Sequence, residues 1–158
     1  MVSYYLKEGR KLKELVDPKT GAWINITPPF TIEELETYAN EFQIPLDFLT
    51  DSLDIDERSR YEIEEDVKLI LVNTPILNNT ESENDPIYTT APIGIILTPE
   101  NIITISPFES PVLNQFIEGK IRSFNIELEE SEFVLQILEQ NVYPVSYTHL
   151  TLPTICSV

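Results

Sequence analysis

The chain has 158 residues, with 27 acidic against 10 basic side chains and a formal charge of −17. That length fits one domain with a real core, and nothing in so acidic a chain could neutralise a run of nucleic-acid phosphates. No stretch approaches the roughly 20 apolar residues that span a bilayer, so no membrane contact is expected of this stretch itself. The acidity suits divalent cations or a cation-rich partner, and it equally suits plain solubility.

The opening Met1-Val2-Ser3-Tyr4-Tyr5-Leu6-Lys7 has no apolar h-region, so no secretory signal is expected. Residues 3 to 7 and 12 to 16 read as two short strands around Glu8-Gly9-Arg10. Asp17-Pro18-Lys19-Thr20-Gly21 carries Pro and Gly where turns want them. Residues 23 to 27 alternate, with Trp23, Asn25 and Thr27 on one side and Ile24 and Ile26 on the other. That period predicts a strand, ended by Pro28-Pro29. A lone Trp there is expected in the core rather than at a ligand.

A helix follows. Thr31 and Glu34 have the spacing of a capping box, with Phe30 and Leu35 placed for a hydrophobic staple. Ile32, Leu35, Ala39 and Phe42 make its apolar stripe. Pro45 can open a second short helix from its first turn, with Leu46, Leu49 and Leu53 on the buried face. Residues 60 to 63 and 67 to 75 read as a hairpin, and Val67-Lys68-Leu69-Ile70-Leu71-Val72 is apolar enough for a strand buried on both faces. Asn78 to Pro86 is polar and reads as a surface loop. Residues 93 to 97 and 102 to 105 flank Thr98-Pro99-Glu100-Asn101, a second hairpin signal. Ser110-Pro111 is a cap with Pro at the first position, opening a helix to about Lys120. A last helix is expected from about Glu129 to Tyr143, with Phe133, Ile137 and Leu138 inward and Glu129, Glu130 and Glu132 near its positive end. Strands and hairpins interleaved with helices predict a mixed sheet with helices on its faces.

Residues 145 to 154, Val-Ser-Tyr-Thr-His-Leu-Thr-Leu-Pro-Thr, read differently. They resemble the translation of a transposase adapter used in sequencing libraries. On that reading residues 1 to 144 are the domain and residues 145 to 158 a non-native tail. The one histidine, His149, and the one cysteine, Cys156, both fall in the tail. Cys–His catalysis and a His- or Cys-based zinc site are then excluded, and one cysteine cannot form a disulfide within the chain. Gly9, Gly21, Gly94 and Gly119 are isolated, so no phosphate-binding glycine loop exists. No enzyme is expected.

The densest carboxylate group is Asp47, Asp51, Asp54, Asp56 and Glu57. Asp47 and Asp51 are four apart, so a helix sets both on one face. Mg²⁺ accepts one or two carboxylates and keeps several waters, so that face could hold a hydrated ion. It could equally be a solvated helix face ending in an acidic turn. An EF-hand loop from Asp51 fails, since Leu53 and Ile55 take ligand positions and no glycine stands sixth. Glycoside hydrolysis needs two acids at a fixed separation across a cleft, which a sequence does not show and for which any acidic chain offers candidates.

One ordered set of segments goes further. It runs Trp23-Ile24-Asn25-Ile26-Thr27, Ile44-Pro45-Leu46, Leu49-Thr50-Asp51-Ser52-Leu53, Glu57-Arg58-Ser59-Arg60-Tyr61-Glu62, Glu65-Asp66-Val67, Ile93-Gly94-Ile95-Ile96-Leu97-Thr98, and residues 133 to 143. In that order it resembles the soluble cytoplasmic domain of CorA-type magnesium/cobalt transporters. Ser59 stands where the family usually has proline, which should loosen the turn without moving the register.

The resemblance implies an α/β/α sandwich with a mixed parallel and antiparallel sheet. It implies a homopentamer at the cytoplasmic face of the membrane. It puts Asp51, with Asp47 a turn away, at a regulatory divalent-cation site between subunits, where Mg²⁺ would be the ion. The stalk carrying the second bridging carboxylate, and the pore helices, are not in this sequence, so it could not conduct ions. A zinc-transporting branch of the superfamily stays open. So does a free-standing cytosolic interaction or ligand-binding domain of the same pattern.

Overall fold

The computed structural model describes residues 1–8, 11–78, 87–118 and 134–139. They form β1 (Val2–Glu8), β2 (Lys11–Leu15), β3 (Trp23–Ile26), α1 (Ile32–Phe42), α2 (Leu46–Asp51), β4 (Arg60–Glu64), β5 (Val67–Asn78), β6 (Ile87–Leu97), β7 (Ile102–Ile105) and α3 (Pro111–Ile117). Residues 134–139 are a last helical segment, α4. The strands make one sheet in the order β2-β1-β3-β7-β6-β5-β4. β3 and β7 run parallel, and every other neighbouring pair is antiparallel.

Period-two alternation sorts the side chains onto two faces. On one face Ile24, Ile26, Leu69, Ile96, Ile103 and Ile105 meet Leu35 and Ala39 of α1 and Phe48 and Leu49 of α2. On the other, Trp23, Ile93, Ile95 and Leu97 meet Val112, Leu113 and Phe116 of α3 and Val134 and Ile137 of α4. Two cores around one sheet are the predicted α/β/α sandwich. β3 lies between them, so all four of its residues are buried. Trp23 is core, 2% exposed, and its Nε1–H donates to Thr104 Oγ1 at 2.8 Å. Thr104 Oγ1 in turn donates to Asn25 Oδ1 at 2.8 Å, which satisfies polar groups that burial would otherwise penalise.

The local signals map onto the elements. Thr31 Oγ1 accepts from Glu34 N at 3.2 Å, and Thr31 N donates to Glu34 Oε2 at 3.4 Å, closing the capping box. Ser110 caps α3 by accepting from Leu113 N, with Pro111 at the first position.

Four expectations shift. Ile32 is 66% exposed. As the first helical residue it sits at the rim, and the buried stripe starts at Leu35. Pro45 is the N-cap of α2 rather than its first residue, with extended ψ of 134°. Phe48 is buried alongside Leu49, while Leu46 and Leu53 are half-buried, because α2 is packed between α1 and β6 and so encloses more of its girth. β5 is not buried on both faces: Val67, Leu69 and Leu71 are buried, Ile70 and Val72 half-buried, and Lys68 exposed. The second core centres on β3 and β6, leaving that face of β5 at its margin.

α3 ends at Ile117. Asn78, expected to open a surface loop, ends β5 instead. The rest of that expected loop at residues 79–86, the helix ends beyond residues 134–139, and the tail at residues 145–158 with His149 and Cys156 lie outside the described residues.

Candidate functional site

Asp51 is the last residue of α2. What fixes α2 on the sheet is its end. Ser52 is fully buried and donates to Phe48 O at 2.6 Å. It sits directly over Gly94 of β6, where an added Cβ would come within 2.5 Å of Ser52 Cβ. Glycine at 94 is therefore required by close approach, not by a turn. With Ser52 turned into the sheet, Asp51 is left at the surface, its side chain 34% exposed.

Three carboxylates converge on one guanidinium there. Arg60 Nη2 donates to Asp51 Oδ2 at 2.6 Å. Its Nη1 donates to Glu57 Oε2, and its Nε to Glu62 Oε2 at 3.3 Å. Arg60 opens β4, and Glu62, two residues on, shares its strand face. The planar fork of donors lets one side chain address three acceptors. Partial burial works against the Arg60 charge, but its hydrogen bonds to Asp51 and Glu57 outweigh burial and hold the guanidinium above its ordinary range. Three carboxylates against one guanidinium leave the group with two negative charges in excess.

The other acids of the sequence cluster separate. Asp47 is exposed in the first turn of α2, one helical turn before Asp51. Asp54 Oδ1 accepts from Asp56 N at 2.9 Å and so closes its own turn. Asp56 is exposed. Among the described residues, no three acidic, histidine or cysteine side chains gather so as to hold a metal ion. Asp51 and Asp47 offer hard oxygen donors of the kind Mg²⁺ takes, and one or two of them suit a hydrated ion. They fit part of a site.

The sequence named Arg60 and Glu62 only as register marks and assigned them no role. The signal was present: Glu57 and Arg60 are three apart, and Arg60 and Glu62 two apart on a strand. Ser59 departs from expectation as well. Its Oγ accepts from Asn73 N at 3.3 Å, so it ties the turn to β5 rather than loosening it. Asn73 Nδ2 adds a hydrogen bond to Glu57 O at 3.4 Å.

Among the described residues a seven-stranded mixed sheet lies between two helical layers, with an acidic, arginine-bridged cluster where the end of α2 meets β4. The profile of one family, described as "CorA-like Mg2+ transporter protein", matches residues 19–146, and the chain belongs to that family. No curated protein matches the sequence. Among solved structures, the complete CorA magnesium transporter from Methanocaldococcus jannaschii is 22% identical with a TM-score of 0.74, covering 98% of this chain and 48% of its own. The soluble domain of CorA from the same organism is 19% identical, TM-score 0.71, covering 98% and 60%. The ZntB cytoplasmic domain from Vibrio parahaemolyticus is 12% identical, TM-score 0.66, covering 96% and 62%. This chain thus spans about half of the complete transporter it resembles. No helix among the described residues is long and apolar enough to cross a membrane.

Proposed function

We propose that this chain is the cytoplasmic sensing domain of a CorA-type divalent-cation transporter, and that Asp51 is its regulatory ligand for Mg²⁺. The observation that carries the proposal is the family match over residues 19–146 together with the half-buried carboxylate of Asp51 at the surface end of α2. The excess of two negative charges around Arg60 supports a divalent ion there. Asp47, a turn away, is the second acid of the site.

The chain's own residues do two things in this reading. Gly94 and Ser52 seat α2 so that Asp51 faces outward. Arg60 pairs Asp51 with β4 when no ion is bound. Neither completes a cage, so the remaining ligands come from water and from a neighbouring subunit of the homopentamer. The sensing domain is residues 1 to 144, and residues 145 to 158 are a non-native tail. The domain alone does not transport.

Two experiments test this. The source gene should continue past residue 144 into a long charged helix and two apolar spans; a stop codon there would instead favour a free-standing cytosolic domain. In the longer protein, placed in vesicles, Asp51→Asn should leave Mg²⁺ influx harder to shut off by internal Mg²⁺. Shut-off at the parent's Mg²⁺ concentration would remove Asp51 from the mechanism.

A further inference from the structure

The three bonds of Arg60 are not equivalent in what they cost to break. Asp51 is held by Nη2 alone. Nη1 and Nε belong to Glu57 and Glu62. If Asp51 leaves, the guanidinium keeps two carboxylate partners and is not stranded. Losing a partner is expensive chiefly when the remaining charge is left uncompensated. Here it is not.

The guanidinium also stands where an ion would. Nη2 lies 2.6 Å from Oδ2 of Asp51. A Mg²⁺ ion sits about 2.1 Å from a carboxylate oxygen and would repel a guanidinium sharing that oxygen. That repulsion sets the two cations in competition for the Asp51 carboxylate. All four side chains are about one-third to one-half exposed, so the exchange needs no core rearrangement.

We propose that Arg60 is the built-in counter-cation of Asp51, a competitor that a divalent ion displaces onto Glu57 and Glu62. This rests on the reading of Asp51 as a divalent-cation ligand and adds how its threshold is set. Arg60 keeps Asp51 paired at low divalent concentration. It thereby suppresses weak binding of monovalent ions, whose single charge competes poorly with a bidentate-capable guanidinium. Displacement frees the end of α2 from the start of β4, since this pair joins the two elements.

The test uses Mn²⁺ alone as the probe on this chain, its binding followed by water-proton relaxation. Arg60→Gln should tighten Mn²⁺ binding about three- to tenfold, the scale of removing one positive charge a few ångströms from a dication near the surface. Arg58→Gln removes the same charge two residues away and should change it less than twofold. On an Asp51→Asn background, Arg60→Gln should bring no further gain, because the competition acts through Asp51. If Arg60→Gln unfolds the chain, Arg60→Lys serves: it keeps the charge but loses the fork, and should tighten binding by a smaller factor.

Unchanged or weaker binding in Arg60→Gln overturns the proposal and makes Arg60 a positioning residue for Asp51. Equal tightening by Arg58→Gln overturns it as a general charge effect. A gain that persists on the Asp51→Asn background overturns it in favour of Glu57 and Glu62 as ligands. The underlying site reading fails separately: it falls if Asp51→Asn binds Mn²⁺ as the parent does, whatever Arg60→Gln does.

Discussion

Thr104 carries two hydrogen bonds of the second core, one from Trp23 Nε1 and one to Asn25 Oδ1. Thr104→Val keeps the shape and removes both. Each buried polar group deprived of its partner costs about 1–3 kcal/mol, so a loss of roughly 2–4 kcal/mol is expected in a urea melt. A change under about 0.5 kcal/mol, the size of an ordinary surface substitution, would mean that water takes over the lost bonds. At this scale the sequence was informative about Trp23 as core and about Asp51 as a surface acid on a helix. It could not show Arg60 beside Asp51. The two are nine residues apart in different elements, and only the seating of α2 on the sheet brings them within 2.6 Å. Ser59 illustrates the same limit, since its partner Asn73 lies 14 residues on, across the hairpin.

Elements were legible where their signals are local. The capping box at Thr31, the Ser110-Pro111 start of α3 and the alternation of β3 each depend on neighbours within four residues. Ile32 was misplaced and Phe48 missed because burial depends on what lies beyond the helix: a rim for one, α1 and β6 for the other. Gly94 was dismissed as an isolated glycine, and its role exists only through Ser52, 42 positions earlier in the chain. Gly94→Ala forces a methyl against Ser52 and to 3.2 Å from Ile105 Cγ2. Overpacking of this kind typically costs about 1–3 kcal/mol. The expected loss is about 2 kcal/mol, read as a lowered urea midpoint. Ser52→Gly on the Gly94→Ala background should recover part of it, because it removes the atoms in the way. No recovery would mean that the strain lies elsewhere in β6.

For the whole molecule, the formal charge of −17 makes any added cation stabilising to some degree through screening. A specific Mg²⁺ effect must therefore exceed that of a monovalent salt at equal ionic strength. A mixed sheet with helices on its faces was foreseeable from element order and periodicity, whereas the α/β/α sandwich came from the family resemblance; the parallel β3–β7 pair joins strands separated by α1, α2 and the strands β4 to β6. The proposed homopentamer was not legible in the same way, since it came only from the family resemblance. The most direct test of the account takes the longer protein and follows its limited proteolysis as Mg²⁺ is raised, with Na⁺ matching the ionic strength. The parent should be protected with increasing Mg²⁺, and Asp51→Asn should need several-fold more Mg²⁺ for the same protection. Identical Mg²⁺ dependence in the two proteins would contradict the account and leave Asp51 a solvated helix residue.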